Sequence, residues 1–393
     1  MISFSNKLQR LPEQFFAKLA ARVAQKVSDG HDVINLGQGN PDQPTFPHII
    51  ESLQQAATDP QNHKYPPFSG VAELRQAAVD FYKREYGVEL DPNTEVAILG
   101  GTKIGLVELP LALLNEGDTM LLPDPGYPDY LSGVQLAGAK FEPMPLVAAN
   151  AFLPNYDALS DDVKAAAKLM YINYPNNPTG ATADLAFYEK TIAFARENNI
   201  AVAHDFAYGA IGFDGQKPVS FLQAEGAKEI GIELYTLSKS YNMAGWRVGF
   251  AVGNAKIIAA INLLQDHLFC SIFPAIQYAA ATALQGDQSD VETLRATYES
   301  RRNVLVEEAR RIGWDVVAPS GSFFAWLPVP KGYTSEQFTD ILLDEANIAV
   351  ASGNGFGEHG EGYVRVGLLT DEARLKEAMA RIEKLGIFNK VNV

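Results

Sequence analysis

The chain has 393 residues, enough for two domains and a large buried core, and its 47% hydrophobic and 20% charged residues are ordinary for a globular protein. Its 32 basic and 47 acidic residues leave a net charge of −15 with no basic run, so the footprint of a nucleic-acid or anionic-membrane partner is missing. The single cysteine, Cys270, excludes an intrachain disulfide; with no signal-peptide pattern and no run of 18 apolar residues, a cytoplasmic location without a membrane partner is expected.

In chain order, the run Leu11-Pro12-Glu13-Gln14-Phe15-Phe16 ends on two aromatics. These read as a helix packing face or as a cover over an uncharged ligand. A glycine-rich loop follows at Asn35-Leu36-Gly37-Gln38-Gly39-Asn40-Pro41-Asp42, then Tyr65-Pro66-Pro67-Phe68-Ser69-Gly70. Val96–Leu99 reads as a strand running into Gly100-Gly101 and then a helix. Main-chain N–H groups at such a helix start form an anion site, and Thr102 adds a hydroxyl. Lys103 reads equally as a phosphate contact or a solvated first-turn lysine.

Tyr127 sits in Pro125-Gly126-Tyr127-Pro128. The stretch Leu169–Ile172 reads as a strand, and Asn176-Asn177-Pro178-Thr179-Gly180 after it as a turn. Another short apolar strand starts at Ile200 and ends in Asp205, with Tyr208 three residues on. A carboxylate at that place points into the crevice where open α/β sheets bind ligands, or else caps the next helix. The run Thr236-Leu237-Ser238-Lys239-Ser240 sets an amine between two hydroxyls, and Arg247 follows eight residues later. Taken alone, Ser-Lys-Ser is also what a surface loop looks like. The fuller run supplies what a lysine needs to condense with a phosphorylated aldehyde: a nucleophilic amine, and hydroxyls with a guanidinium for the phosphate.

Strands alternate with helical patterns from about residue 95 to 255, which predicts a mostly parallel sheet in α/β layers. After about residue 273 the pattern changes. A long helix over Val291 to Arg311 and a strand over Ser322 to Leu327 predict a second, smaller α+β domain.

Together these pieces resemble the fold-type I pyridoxal-phosphate enzymes and, within them, the class I/II aminotransferases, from Asn35 to Gly367. The marks lie in order: the glycine-rich loop, Tyr65 with Gly70, the phosphate turn, Tyr127, Asn177-Pro178-Thr179-Gly180, Asp205 with Tyr208, Ser238-Lys239 with Arg247, and Arg365. The resemblance implies a mostly parallel seven-stranded sheet in a large domain, 49–274, and a discontinuous small α+β domain from 1–48 with 275–393. It implies Lys239 as Schiff-base lysine and proton shuttle, and Asp205 as partner of the pyridine nitrogen. Asn177 and Tyr208 would bond the ring oxygen, and Tyr127 would stack on the ring. Thr236, Ser238 and Arg247 would hold the phosphate with the main chain at Gly101 and Thr102, and Lys103 is a further candidate. Arg365 would clamp the substrate α-carboxylate, with contacts from Gly39 and Asn177. Tyr65 would reach the neighbouring subunit's cofactor, which makes the protein a homodimer with shared active sites. No metal is expected.

Substrate choice is less marked. Tyr127 stands where the aspartate-specific branch has tryptophan. No second arginine or lysine is assignable to a distal carboxylate, and apolar candidates occur at Phe15, Phe16 and Phe273. His204–Phe213 and Gly353–Glu358 resemble the methionine-salvage aminotransferases of Gram-positive bacteria, which convert 4-methylthio-2-oxobutanoate to methionine with glutamine or another donor. Branches using aspartate, aromatic amino acids or diaminopimelate share the cofactor marks, as does a carbon–sulfur lyase of the same fold. A ligand-sensing regulator would need a DNA-binding module, for which Met1 to Asp32 is too short.

Overall fold

A computed structural model describes residues 2–388; Met1 and the last five residues of the expected small domain, 389–393, lie outside the described residues. Twelve strands occur among them: β1 (Ile34–Asn35), β2 (Val96–Leu99), β3 (Thr119–Asp124), β4 (Lys140–Pro145), β5 (Ala167–Ile172), β6 (Ala201–Asp205), β7 (Gly231–Thr236), β8 (Gly249–Gly253), β9 (Phe324–Pro328), β10 (Ile348–Ala349), β11 (Ala351–Ser352) and β12 (Tyr363–Gly367). Seven of them form one sheet in the order β2-β8-β7-β6-β5-β3-β4. Only β8 runs against the others.

The inner strands are largely apolar on both faces because both faces are covered by helices, while half of the edge strand β4 is exposed. Alternate residues divide between two cores. Val96, Ile98, Met170 and Ile172 enter one core with Leu74, Phe81 and Tyr188. Ala97, Leu99, Leu169 and Tyr171 enter the other with Leu106, Tyr130 and Ile261. The C-terminal ends of β2, β3, β5, β6 and β7 therefore share one edge of the sheet. The reversed β8 brings its N-terminal end there, and with it Arg247.

A third core joins the helices Ser289–Arg311, Ser335–Ala346 and Glu372–Lys384 to the antiparallel sheet β11-β12-β9. Strand β1 pairs in parallel with β10, Ile34 facing Ile348, so the N-terminal segment packs with the C-terminal elements. The predicted strand at Ser322 begins two residues late. Ser322 has φ 64°, a left-handed backbone that cannot continue a pleat. No helix follows β6; residues 207–210 form turns, so Asp205 caps nothing.

Candidate active site

At the strand-end edge lies a cavity of about 460 Å³. Its wall includes Thr102, Lys103, Tyr127, Asn177, Asp205, Tyr208, Thr236, Ser238, Lys239 and Arg247 from the large sheet's edge, and Gly39 and Arg365 from the other unit. Twelve separated candidates thus meet around one space. Gly101 borders it. Its φ is +89°, and a Cβ there would fall on the Arg247 guanidinium, so glycine is what lets Arg247 lie against the turn. Tyr65 does not join the cavity and is 87% exposed.

Thr102, Thr236 and Arg247 form one corner. Gly249 pairs with Thr236 and also lies against Thr102. Thr102 opens the twelve-residue helix Thr102–Leu113, whose first N–H groups and dipole favour an anion. Lys103 answers to both expectations in part: it borders the cavity yet its side chain is 48% exposed, and its amine pairs with Asp129 at 2.7 Å. Gln14 also donates to Asp129, at 3.3 Å. Burial works against the Asp129 anion, but Lys103, Tyr127 and Gln14 together hold its carboxyl below the ordinary value.

The Lys239 amine donates to the Gly39 carbonyl at 2.8 Å. The cavity leaves it partly accessible, yet it is deeply enclosed. Burial, then the Arg365 and Arg247 charges, pull its pKa down to about 8 against the opposing Asp205 charge. Below about pH 8 the cofactor-free chain carries the full cost of this buried cation, and the cost disappears as pH rises toward the unfolded value of 10.5. Lys239→Met is expected to stabilise the cofactor-free protein by about 1–3 kcal/mol at pH 7, with that advantage shrinking between pH 8 and 10.5. Denaturant titrations of both proteins at several pH values check this; an advantage that grows with pH would contradict it.

Arg365 is buried on β12. Its Nη1 donates to Asn177 Oδ1 at 2.9 Å and its Nη2 to the Gly37 carbonyl at 3.0 Å. Its guanidinium carbon lies 3.8 Å from the Phe324 ring centre, 4.9 Å from Phe16 and 4.8 Å from Phe356. Burial lowers its pKa to about 9, and the guanidinium remains charged at neutral pH. Phe16 therefore serves both expectations: it packs against Phe15 and Phe356 and also lines the cavity. Phe273 packs on His63 and does not line the cavity.

Asp205 is buried at the end of β6, and burial raises its pKa although Tyr130 and nearby charges oppose this. Its Oδ2 accepts from the Tyr130 hydroxyl at 2.8 Å, while Oδ1 has no partner. Burial also raises the Tyr208 and Tyr127 phenols, so both stay protonated. Sequence reasoning missed Tyr130, Asp129, Asn173 and Phe324. Asn173 accepts from the Asn177 N–H at 2.8 Å and donates to the Asp205 carbonyl at 2.7 Å, which ties the two strand ends together. The available signal for Tyr130 was its three-residue step from Tyr127.

The donor set fits pyridoxal phosphate. The unpartnered carboxylate oxygen suits a protonated ring nitrogen, the Thr102–Arg247 corner suits a phosphate, and the lysine amine suits an aldehyde. The chain belongs to the aminotransferase class I and II family, whose model matches residues 31–382. It is 66% identical over 389 residues to the L-glutamine–4-(methylsulfanyl)-2-oxobutanoate aminotransferase of Bacillus subtilis (strain 168), covering 99% of this chain and 98% of that one. It is 47% identical to an LL-diaminopimelate aminotransferase of Syntrophobacter fumaroxidans, covering 97% and 98%. The substrate-bound structure of BacF from Bacillus subtilis superposes with a TM-score of 0.96 at 46% identity over all of both chains. The molecule is accordingly a pyridoxal-phosphate-dependent transaminase with a type I fold. No helix among the described residues is long and apolar enough to cross a membrane, and no metal-ligating cluster occurs among them.

Proposed function

We propose that this transaminase makes methionine, moving the amino group of glutamine or another L-amino acid to 4-methylthio-2-oxobutanoate in two half-reactions. The observation that carries this reading is that Lys103, the one cavity cation among the described residues left for a distal substrate group, is already paired with Asp129. A distal carboxylate would enter a cavity walled by Phe16, Tyr127 and Phe324 with no free cation to meet it. A thioether suits that wall. The 66% identical relative that acts on 4-(methylsulfanyl)-2-oxobutanoate supports the same choice.

When bound, the cofactor supplies an aldehyde that carries the amino group and a ring that draws electrons from the substrate. In our reading the chain does the rest. The Asp205 oxygen left free is available to the ring nitrogen, and the charge it contributes keeps that nitrogen protonated. The Asn177 amide and the Tyr208 hydroxyl hold the ring oxygen, and Tyr127 covers a ring face. Thr102, Thr236, Ser238, Arg247 and the main chain at Gly101 hold the phosphate; Lys103 is kept beside it by Asp129. Arg365 trades the Gly37 and Asn177 oxygens for the substrate α-carboxylate, close to the Gly39 main chain. The Lys239 amine, with its lowered pKa, would take up and hold the substrate Cα proton.

The proposal includes a large unit over 49–274, a small unit from 1–48 with 275–393, a cytoplasmic setting and a homodimer. Exposed Tyr65 and Phe68, and a surface groove of Ile104, Trp246 and Ile276 beside Arg247, suit a second copy. The experiment is a comparison of acceptors at fixed glutamine, on protein whose mass is read by sedimentation. 4-Methylthio-2-oxobutanoate is expected to exceed 2-oxoglutarate in kcat/KM by about a hundredfold, the effect of an unpaired buried carboxylate. A win for 2-oxoglutarate or oxaloacetate would replace this reading with one in which Lys103 leaves Asp129 for the substrate. An active monomer would remove the homodimer.

A further inference from the structure

Tyr130 opens the helix Tyr130–Ala137, three residues after Tyr127. It is 2% exposed. Its ring stands edge-on to Tyr127, with centroids 5.6 Å apart, and to Tyr171, 5.3 Å apart. Its hydroxyl donates to Asp205 Oδ2 at 2.8 Å. Burial raises the phenol's pKa well above its ordinary value, so it remains a donor. Among the described residues no other side chain donates to this carboxylate. Asn173 binds the Asp205 main-chain carbonyl instead; His204 and Lys239 act on the carboxylate through space, and the Ala207 main-chain N–H also favours its anion.

The terminal torsion of an aspartate is broad and nearly two-fold. Without a second anchor the two Asp205 oxygens could turn past one another, and burial would favour the neutral acid. A hydroxyl fixed on Oδ2 removes both freedoms. We propose that Tyr130 is a positioning residue that turns the Asp205 carboxylate so that Oδ1 alone faces the ring nitrogen of the bound cofactor, and keeps it anionic. The proposal rests on the reading of Asp205 as partner of that nitrogen. Tyr130 joins two parts of the site: the turn that places Tyr127 over the ring also fixes the carboxylate at the ring's nitrogen.

The test uses holoenzyme reconstituted with pyridoxal phosphate, or with the analogue that carries C–H in place of the ring nitrogen. Cofactor release on dilution is followed by absorbance. Tyr130→Phe keeps the ring packing and removes the hydroxyl. It should release pyridoxal phosphate about tenfold faster, the effect of losing one hydrogen bond to a charged group, and leave release of the analogue unchanged. Its kcat should fall while KM for the keto acid stays near that of the parent. Equal acceleration for both cofactors would reduce Tyr130 to a packing residue and overturn the proposal. So would an unchanged rate for both. If the parent enzyme itself holds both cofactors equally, the Asp205 reading fails instead. Asp205→Ala, which should not distinguish the two, calibrates that outcome.

Discussion

Lys239→Ala is expected to lose at least about ten-thousand-fold in transamination while its circular dichroism spectrum stays that of the parent. A positioned acid–base group alone contributes a hundredfold to ten-thousand-fold, and here the same amine also carries the cofactor. The geometry explains why no neighbour can substitute. Lys103 is held by Asp129 at 2.7 Å, and Arg247 and Arg365 remain charged guanidiniums that do not act as bases at neutral pH. Losing one buried amine whose cation is already disfavoured should not unfold the chain. Borohydride should fix the cofactor to Lys239 in the parent, as read by peptide mass, and to nothing in the variant. A label on Lys103, or turnover within tenfold of the parent, would show that the chemistry sits elsewhere.

Asp205→Ala should cost about a thousandfold or more in kcat and weaken retention of the cofactor. The residue is buried at a strand end with one oxygen unpartnered, and no helix follows for it to cap. Its loss also leaves the buried Tyr130 hydroxyl without its acceptor, so the stability of Asp205→Ala is read alongside its rate. Asp205→Glu keeps a carboxylate on a longer stem and should retain part of the rate. Single-turnover mixing with glutamine separates the chemical step from binding. Near-parental turnover in Asp205→Ala would mean that the ring nitrogen has another partner or needs none.

The sequence carried the strand-end side chains well because strand ends are local. Apolar runs such as Leu169–Ile172 mark themselves, and the polar residue after each must lie at the sheet edge. Gly101 and Asp205 were found this way, whereas Asn177 and Lys239 were marked by their own runs, and Asn173, directly after Ile172, was passed over. Residues whose place depends on distant partners were hidden. Tyr130 looks like any helical tyrosine until β6 brings Asp205 to its hydroxyl. Phe324 lies in an apolar strand, and only the pairing of β12 with β9 sets Arg365 over its ring. Lys103 could not be settled from its own turn, because Asp129 comes from a different loop. The reversed direction of β8, which delivers Arg247, is a matter of sheet order rather than of any local pattern.

Before any substrate arrives, Arg365 rests on a carbonyl and an amide oxygen, both without net charge. An incoming carboxylate competes against dipoles alone, so the exchange favours the newcomer. Had an aspartate stood at position 177, the protein would carry its own tethered inhibitor, present at an effective concentration no free amino acid could match. The side-chain amide also does not titrate. In the role proposed for it, Arg365 is thus held in place by neutral groups that a carboxylate can displace and that do not themselves titrate.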